Sequence, residues 1–232
     1  METQTRNSYA VPIAIVVAGA LIAGAVFFTR SEGNTPITSG GGTASMRPID
    51  SKDHIIGNPE APIIVVEYSD TECPYCKNFH TTMREIMATY GKDGKVAWVY
   101  RHFPIPSLHA KATKEAEALE CAAELGGETK FWEYTNRLYE VTPSNDGLEA
   151  AQLPTLAVEV GLNKNAFENC LSSGRHQARV ERDVQDGLAI GIRGTPHSVV
   201  VAGGEQVPLE GAQPLSVMQN FIEAVLKQTA SN

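Results

Sequence analysis

The chain has 232 residues, of which 42% are hydrophobic and 20% are charged, enough for one folded domain with a sizeable core plus an appendage. Lys and Arg number 19 against 27 Asp and Glu, so the net charge is −8 with His neutral, and no basic tract stands out. This composition gives no support to nucleic-acid binding.

The first predicted element is an apolar segment, Tyr9 to Phe28, which contains no charged side chain. A helix of about 20 residues rises roughly 30 Å, which is enough to cross a bilayer. Arg6 precedes the segment and Arg30 follows it, and we place the N-terminus on the cytoplasmic side. The length favours an uncleaved single-pass anchor over a cleaved signal peptide, although the small residues from Gly19 to Ala25 leave cleavage open.

These features divide the chain into three parts. We expect residues 1–30 to form a cytoplasmic stub and transmembrane anchor, residues 31–46 a flexible linker, and residues 47–232 the folded domain. The linker contains a Gly-rich run from Ser39 to Thr43, which is typical of a tether. The predicted location is the cytoplasmic membrane, with the domain on the extracytoplasmic (periplasmic or cell-wall) side.

The first clear strand is Ile63 to Tyr68, a continuous β-branched run that predicts burial on both faces. Glu67 within it is anomalous, because a buried carboxylate is costly and tends to have a raised pKa. Two interpretations stay open, a strand-end acid that reaches water and an acceptor for a thiol proton. We interpret Asp70 and Glu72, which follow the strand, as solvated turn residues.

The sequence Cys73-Pro74-Tyr75-Cys76 stands where this strand gives way to a helical pattern. Cys73 is predicted to be the N-cap and Pro74 the first helical residue, where the missing N–H costs nothing. A thiol there faces unpaired backbone N–H groups and the positive end of the helix dipole, so we expect a lowered pKa and assign Cys73 as the nucleophile. Cys76 lies one turn further on the same face, close enough to form a redox-active disulfide with Cys73.

A lone C-x-x-C also fits half a zinc site or a structural disulfide. A zinc site needs two more ligands, and neither Cys121 nor Cys170 belongs to a second close pair. Pro74 and the strand-to-helix position fit a reactive dithiol better than a static cross-link. We therefore predict redox chemistry with no metal and no organic cofactor.

The helix after the motif is predicted to end near Tyr90, and the second strand covers Val96 to Tyr100. A mostly helical region follows, over about residues 108–192, with Cys121 on one of its helices and Cys170 on another. A disulfide between these two cysteines closes a loop of about 50 residues. An exported location favours this disulfide, and two buried free thiols remain the alternative.

The segment Gly194-Thr195-Pro196 precedes a strand at Ser198 to Val201, which a Gly-Gly turn joins to Gln206 to Leu209 as a hairpin. If the Thr195–Pro196 bond is cis, the Thr195 backbone is free to pair with an extended substrate beside the dithiol. A last amphipathic helix is predicted over about Pro214 to Lys227. Its expected inward residues are Val217, Phe221, Ala224 and Val225.

The order of these features resembles the DsbA-like family of thioredoxin-fold proteins, from about His54 to Lys227. The residues that carry the resemblance are Ala61-Pro62, Glu67-Tyr68-Ser69-Asp70, the C-P-Y-C sequence, Arg101-His102-Phe103-Pro104, Phe131-Trp132-Glu133 and Gly194-Thr195-Pro196. The resemblance implies an α/β thioredoxin-like fold with a helical insertion between the second strand and the cis-Pro hairpin, here preceded by one N-terminal transmembrane helix.

The resemblance also implies roles for individual residues. Cys73 falls on the exposed nucleophile and Cys76 on the resolving cysteine. Glu67 falls on a buried acid six residues before the nucleophile. Thr195 and Pro196 fall on the substrate-contacting loop.

The implied function is that of an exported thiol:disulfide oxidoreductase, which introduces disulfides into cysteine-containing secreted or envelope proteins. Its implied partner is a membrane protein of the DsbB or VKOR type that reoxidises the dithiol.

The best-known oxidase has C-P-H-C and Val before the cis-proline, whereas this chain has Tyr75 and Thr195 at these positions. This departure leaves a reductase or isomerase of the same fold open. A non-catalytic binding or chaperone module with a static disulfide is the alternative from another class.

Overall fold

Five strands form one mixed sheet in the computed structural model, which describes residues 45–229. The strands are β1 (His54–Ile56), β2 (Ile63–Ser69), β3 (Val96–His102), β4 (His197–Ala202) and β5 (Glu205–Glu210). The helices are α1 (Pro74–Ile86), α2 (Ala112–Val141), α3 (Leu153–Glu159), α4 (Lys164–Ser173), α5 (Gln177–Ala189) and α6 (Leu215–Thr229). A π-helical turn, Met87–Gly91, continues α1, and a 3-10 turn, Ala150–Gln152, precedes α3.

The strand order in the sheet is β1-β3-β2-β4-β5, which places β2 at the centre. β2 runs parallel to β3 and antiparallel to β4, and Val65 of β2 lies between Trp98 and Val200 of these neighbours. The β-branched run of β2 is buried on both faces, as such a run predicts. Because α2 to α5 lie between β3 and β4, the predicted thioredoxin-like α/β fold with a helical insertion is confirmed.

Alternate residues of β2 face two separate hydrophobic clusters. Val65 belongs to the larger cluster, which also contains Cys73 and Cys76. Val66 belongs to the smaller cluster on the opposite face. The alternation puts Glu67 on the same face as Val65, so its carboxylate enters the side of the sheet that holds both cysteines.

The helical insertion is cross-linked by a disulfide between Cys121 of α2 and Cys170 of α4. Both cysteines are buried in the larger cluster. α2 is interrupted at Gly127, whose φ of 71° is one that residues with a side chain rarely adopt. The disulfide therefore joins the first part of α2 to a helix that is distant in sequence.

A buried network of ion pairs fastens the start of the described chain to α5. Arg101 of β3 is fully buried and donates from Nε to Asp53 Oδ1 at 3.0 Å and from Nη1 to Asp186 Oδ2 at 2.8 Å. Arg47 donates from Nη2 to Asp183 Oδ1 at 2.7 Å, and its backbone N–H donates to Asp186 Oδ1 at 2.7 Å. The charges of two arginines and three aspartates thus compensate one another inside the fold, as buried charges require.

The predicted inward face of the last helix is right for Phe221 and Val225 and wrong for Val217 and Ala224. Met218 and Ile222 of α6 are fully buried, whereas Val217 is exposed by 46% and Ala224 is also exposed. Apolar residues on this helix form two adjacent stripes, one through Val217 and one through Met218 and Ile222. The packing of the helix against α1 and β2 buries the second stripe. Phe221 and Val225 pack at the edge of the core.

The predicted anchor, residues 1–30, lies outside the described residues, and so does the predicted linker, residues 31–46, apart from Ser45 and Met46. Met46 is already buried in the smaller cluster, so the described fold includes the residue just before the predicted boundary at 47. No helix between residues 45 and 229 combines the length and the hydropathy that a membrane span requires.

Candidate active site

The C-P-Y-C sequence lies at the N-terminus of α1, directly after the central strand. Cys73 is the N-cap, with φ −76° and ψ 121°, and Pro74 is the first helical residue. The carbonyl of Cys73 accepts the first helical hydrogen bond from the N–H of Lys77 at 3.1 Å. This geometry directs the unpaired N–H groups of the first turn towards the thiol.

Cys73 is less accessible than the expected exposed nucleophile. Its exposed fraction is 5%, whereas Tyr75 is exposed by 65%. The thiol lies against the loop before β4, where Cys73 Sγ donates to the backbone carbonyl oxygen of Thr195 at 3.4 Å. This contact and the surrounding loops cover most of the residue, and the cavity in front of α1 borders it.

The two cysteines are free thiols in this structure, and their environments separate their acidities. A hydrogen bond from the Cys76 thiol, supported by N–H groups of the first helical turn and by the Thr195 side chain, lowers the pKa of Cys73 to about 6 against the opposing effect of burial. Burial raises the pKa of Cys76 well above its ordinary value, and the charge of Cys73 raises it further. The reduced pair therefore holds its negative charge on Cys73 and a proton on Cys76.

Glu67 is fully buried, so the interpretation of a strand-end acid that reaches water is wrong. β2 is the central strand, and its neighbours cover Glu67 from both sides. Glu67 Oε1 accepts from Ser69 Oγ at 2.6 Å, and Oε2 accepts from Trp98 Nε1 at 3.0 Å. Burial raises the pKa of Glu67 to about 7, although both hydrogen bonds lower it.

Glu67 is linked to the resolving cysteine through a chain of polar groups. Ser69 Oγ lies 3.0 Å from the hydroxyl of Tyr139, which donates to the backbone carbonyl of Asp70 at 3.3 Å. The N–H of Asp70 donates to Cys76 Sγ at 3.4 Å. The hydrogen bonds of Glu67 itself go to Ser69 and Trp98, and its influence on Cys76 is electrostatic.

The interpretation of Asp70 and Glu72 as solvated turn residues is wrong, because both are almost completely buried. Asp70 accepts from the backbone N–H groups of Glu72 at 2.9 Å and Ile105 at 2.8 Å, which replace water around its carboxylate. Glu72 lies beside Glu115 of α2, and burial together with the Glu72 carboxyl raises the pKa of Glu115. α2 and the loop after β3 pack over this turn and exclude solvent from it.

The Thr195–Pro196 peptide bond is cis, and Pro196 is buried directly before β4. A cavity of 410 Å³ lies in front of the thiol. It is lined by Cys73, Pro74, Tyr75, Ile105, Leu108, His109, Asn145, Arg193, Gly194 and Thr195. A second cavity, of 680 Å³, lies along the same loop and shares Arg193, Gly194 and Thr195 with the first. Thr195 and Pro196 therefore border the space in which an extended client segment can approach Cys73.

No local sequence pattern singles out His109 as a residue of the site. It follows β3 in a loop with no regular pattern, and a single histidine in such a loop is unremarkable by sequence. In the structure its Nδ1 lies 3.0 Å from Asp70 Oδ2, and it lines the same cavity as Cys73. Only the long-range packing of this loop against the turn before α1 brings it to the site.

Two side-chain groups in the described part of the chain have the composition of a metal site. In one of them Cys121 and Cys170 are joined to each other, which also removes both as partners of Cys73 and Cys76 in a zinc site. The other comprises His54, His102 and Glu120, away from the dithiol. Its two imidazoles bond to the same oxygen, Glu120 Oε1, at 3.0 and 2.9 Å, in an ion-pair network joined by Arg179 Nε at 3.5 Å.

Comparison with known proteins agrees with this fold. The family model described as Thioredoxin matches residues 50–224. The alpha-DsbA1 protein of Wolbachia pipientis superposes with a TM-score of 0.68 at 21% identity, covering 79% of this chain and 95% of its own. Oxidised BdbD of Bacillus subtilis superposes with a TM-score of 0.67 at 21% identity, covering 79% of this chain and 97% of its own.

A relative with higher identity is a longer protein of a different kind. The Na(+)/H(+) antiporter NhaA 1 of Mycolicibacterium gilvum is 33% identical over 181 residues, which make up 77% of this chain but 28% of the antiporter. The chain thus spans less than a third of that relative, whose name describes the longer protein. The chain belongs to the thioredoxin family, and its fold is similar to that of these DsbA and BdbD structures.

Proposed function

We propose that this protein introduces disulfides into cysteine-containing exported proteins through Cys73 and Cys76. The observation that carries the proposal is the placement of the dithiol: Cys73 is the N-cap of α1, and Cys76 is fully buried one turn further along the helix. This placement lowers the pKa of Cys73 to about 6 and raises that of Cys76. A stable thiolate on Cys73 favours the reduced dithiol, and a favoured reduced form drives electrons from client thiols to the enzyme.

The first step is attack by a client thiolate on Cys73 Sγ of the oxidised enzyme. The Cys73–Cys76 bond breaks and a client–Cys73 disulfide forms. Cys76 leaves with the electron pair and takes up a proton, which its burial favours. Thr195, whose carbonyl contacts Cys73, and the cavity beside it position the client backbone for this attack.

The second step releases the oxidised client. A second client thiolate attacks the client sulfur of the mixed disulfide, a client disulfide forms, and Cys73 leaves as a thiolate. The helix N-terminus that lowers the pKa of Cys73 makes it a good leaving group. Two electrons have then moved from the client to the dithiol, and a reoxidising partner must remove them before the next cycle.

We place the reaction outside the cytoplasm, with the domain tethered by residues 9–28 to the cytoplasmic membrane. The buried Cys121–Cys170 disulfide supports an oxidising compartment. A membrane protein of the DsbB or VKOR type is the proposed acceptor of the electrons. Cell fractionation with protease accessibility tests this arrangement, because the domain must be membrane-bound and cleavable only from the outer side.

The opposite direction, reduction or isomerisation, is the second candidate. Tyr75 between the cysteines and Thr195 before the cis-proline favour it, since the histidine of C-P-H-C is missing. Incubation of the oxidised protein with a reduced dithiol peptide distinguishes the two directions. An oxidase converts the peptide to its disulfide at one equivalent per enzyme, a Cys73→Ser variant does not, and a reductase leaves the peptide reduced.

A further inference from the structure

A second ionisable side chain lies in front of the nucleophile. His109 comes from the loop between β3 and α2, and it lines the 410 Å³ cavity together with Cys73 and Thr195. Its side chain is almost buried, so its position is fixed by the surrounding fold. The sequence places no histidine between the two cysteines, and Tyr75 in that position is directed largely to solvent.

Asp70 holds His109 in the form that can act on a thiolate. The Asp70 carboxylate is fully buried and accepts from His109 Nδ1 at 3.0 Å. Because Asp70 occupies Nδ1, Nε2 is the ring nitrogen that can act on a group in the cavity. This is the Asp–His order by which a carboxylate orients and charges an imidazole beside a nucleophile.

Asp70 contacts both His109 and the resolving cysteine. Its backbone N–H donates to Cys76 Sγ at 3.4 Å, while its side chain bonds to His109. The orientation of the imidazole and the position of the resolving sulfur are therefore set by one residue of the turn before α1.

The charges around His109 favour its cationic form. Asp70 faces it from that turn and Cys73 from the start of α1, while Asp146 approaches from the loop after α2. Arg193 is the opposing cation on the cavity wall. Although burial lowers the pKa of His109, the hydrogen bond and charge of Asp70 and the charge of Cys73 raise it above its ordinary value.

We infer that His109, oriented by Asp70, is a positioning residue that stabilises the Cys73 thiolate from across the cavity, in place of a histidine between the cysteines. In the second step of the proposed reaction, Cys73 leaves the mixed disulfide carrying the electron pair, and the His109 cation stabilises that developing charge. No further oxidant or reductant is needed, and the imidazole neither gains nor loses an electron. The inference rests on the proposed function in that it assigns a role in the same thiol exchange.

The test compares the full chain with His109→Gln, His109→Lys and His176→Gln. Gln keeps a hydrogen bond to Asp70 without the charge, Lys restores a cation, and His176 is a control bonded to Glu124 far from the motif in sequence. We expect His109→Gln to lower the equilibrium constant for oxidation of reduced glutathione about tenfold, or about 30 mV, because an opposite charge near a thiolate has an effect of this size. Lys should restore the wild-type value, and His176→Gln should leave it unchanged.

A second measurement uses the unmodified protein and does not depend on how a variant folds. If the His109 cation stabilises the thiolate, the thiolate must stabilise the cation by the same free energy. NMR titration of the His109 ring must then give a higher pKa in the reduced than in the oxidised protein. An equal pKa in both forms overturns the inference.

A glutathione equilibrium constant in His109→Gln that equals the wild-type value also overturns the inference. So does a His109→Lys variant that behaves like His109→Gln, because the ring would then act by packing and not by charge. These outcomes are separate from a failure of the proposed function. A wild-type protein that oxidises no dithiol peptide refutes the proposed function. If the wild type is active and His109→Gln has the same glutathione equilibrium constant, only the role of His109 is refuted.

Discussion

Cys73 Sγ lies 3.4 Å from the backbone carbonyl oxygen of Thr195, although 122 residues separate them in the sequence. The contact joins the start of α1, which follows β2, to the cis-proline loop before β4. β2 and β4 are neighbours in the sheet. It brings the nucleophile and the expected client-binding backbone into one cavity. The chemistry of the site depends on this long-range contact as much as on the local C-P-Y-C sequence.

Replacing Cys76 by Ser should trap the reaction halfway. The variant can still form a mixed disulfide through Cys73, but it lacks the sulfur that returns to displace the client. After exposure of the variant to oxidised client peptides, non-reducing electrophoresis should reveal mixed-disulfide adducts that a reducing agent cleaves. The matched Cys73→Ser variant should form none, and adducts of similar amount in both variants contradict the assigned order of the cysteines.

Glu67→Gln should slow the closing of the Cys73–Cys76 disulfide. Cys76 must lose its proton to attack a mixed disulfide, and Glu67 is the buried carboxyl whose charge acts on Cys76 and whose pKa of about 7 suits a proton acceptor. General base catalysis contributes about 100-fold or more, so loss of this acceptor should lower the rate by about tenfold or more. Stopped-flow oxidation by glutathione disulfide measures the rate, and its inflection near pH 7 should disappear in the variant.

The exposed acid Glu133, which pairs with Lys130 on the surface of α2, supplies the control. Glu133→Gln should close its disulfide at the wild-type rate. If Glu67→Gln also closes at the wild-type rate across this pH range, Glu67 has no part in proton transfer.

The same carboxyl should make stability fall as the pH rises. The unfolded chain releases the Glu67 proton near pH 4.3, whereas the folded protein keeps it until about pH 7 because of burial. The unfolded state binds fewer protons between these values, so the free energy of unfolding decreases through this range, by up to about 4 kcal/mol. Urea unfolding from pH 4.5 to 8 should show a smaller decrease for Glu67→Gln, and an identical decrease contradicts the raised pKa.

Removing the second disulfide should affect stability and leave the redox site intact. Cys121 and Cys170 are 49 residues apart, and a loop of that length is worth about 4 kcal/mol in the chain-entropy estimate. We expect the Cys121→Ala/Cys170→Ala variant to unfold at lower urea concentration while its Cys73–Cys76 potential stays at the wild-type value. Unchanged stability, or a shifted potential, contradicts a purely structural role.

Local pattern was enough to predict the central strand, the helix that starts at Pro74 and the hairpin after Pro196. Each depends on neighbouring residues: a β-branched run, a proline at the first helical position and a Gly-Gly turn. β1 was missed because it has three residues and forms only by pairing with β3. Val217 and Ala224 of the last helix were wrongly predicted to face inward, because its apolar residues offer two faces and packing chooses between them.

The polar part of the site was not predictable from local pattern. Asp70 and Glu72 have the composition of a solvated turn, and their burial comes from α2 and the loop at Ile105 folding over them. His109 reaches the dithiol only through its bond to Asp70, 39 residues earlier in the chain. Contacts of this range are set by tertiary packing, which no periodicity in the sequence records.

The central claim, that this dithiol donates its disulfide to clients, is tested most directly by the equilibrium reduction potential of Cys73–Cys76 in glutathione buffers. Disulfide donation predicts a potential towards the oxidising end, near about −120 mV, since a strong oxidant has such a value. A potential of about −250 mV or below would contradict the account, because the domain would then reduce or rearrange client disulfides.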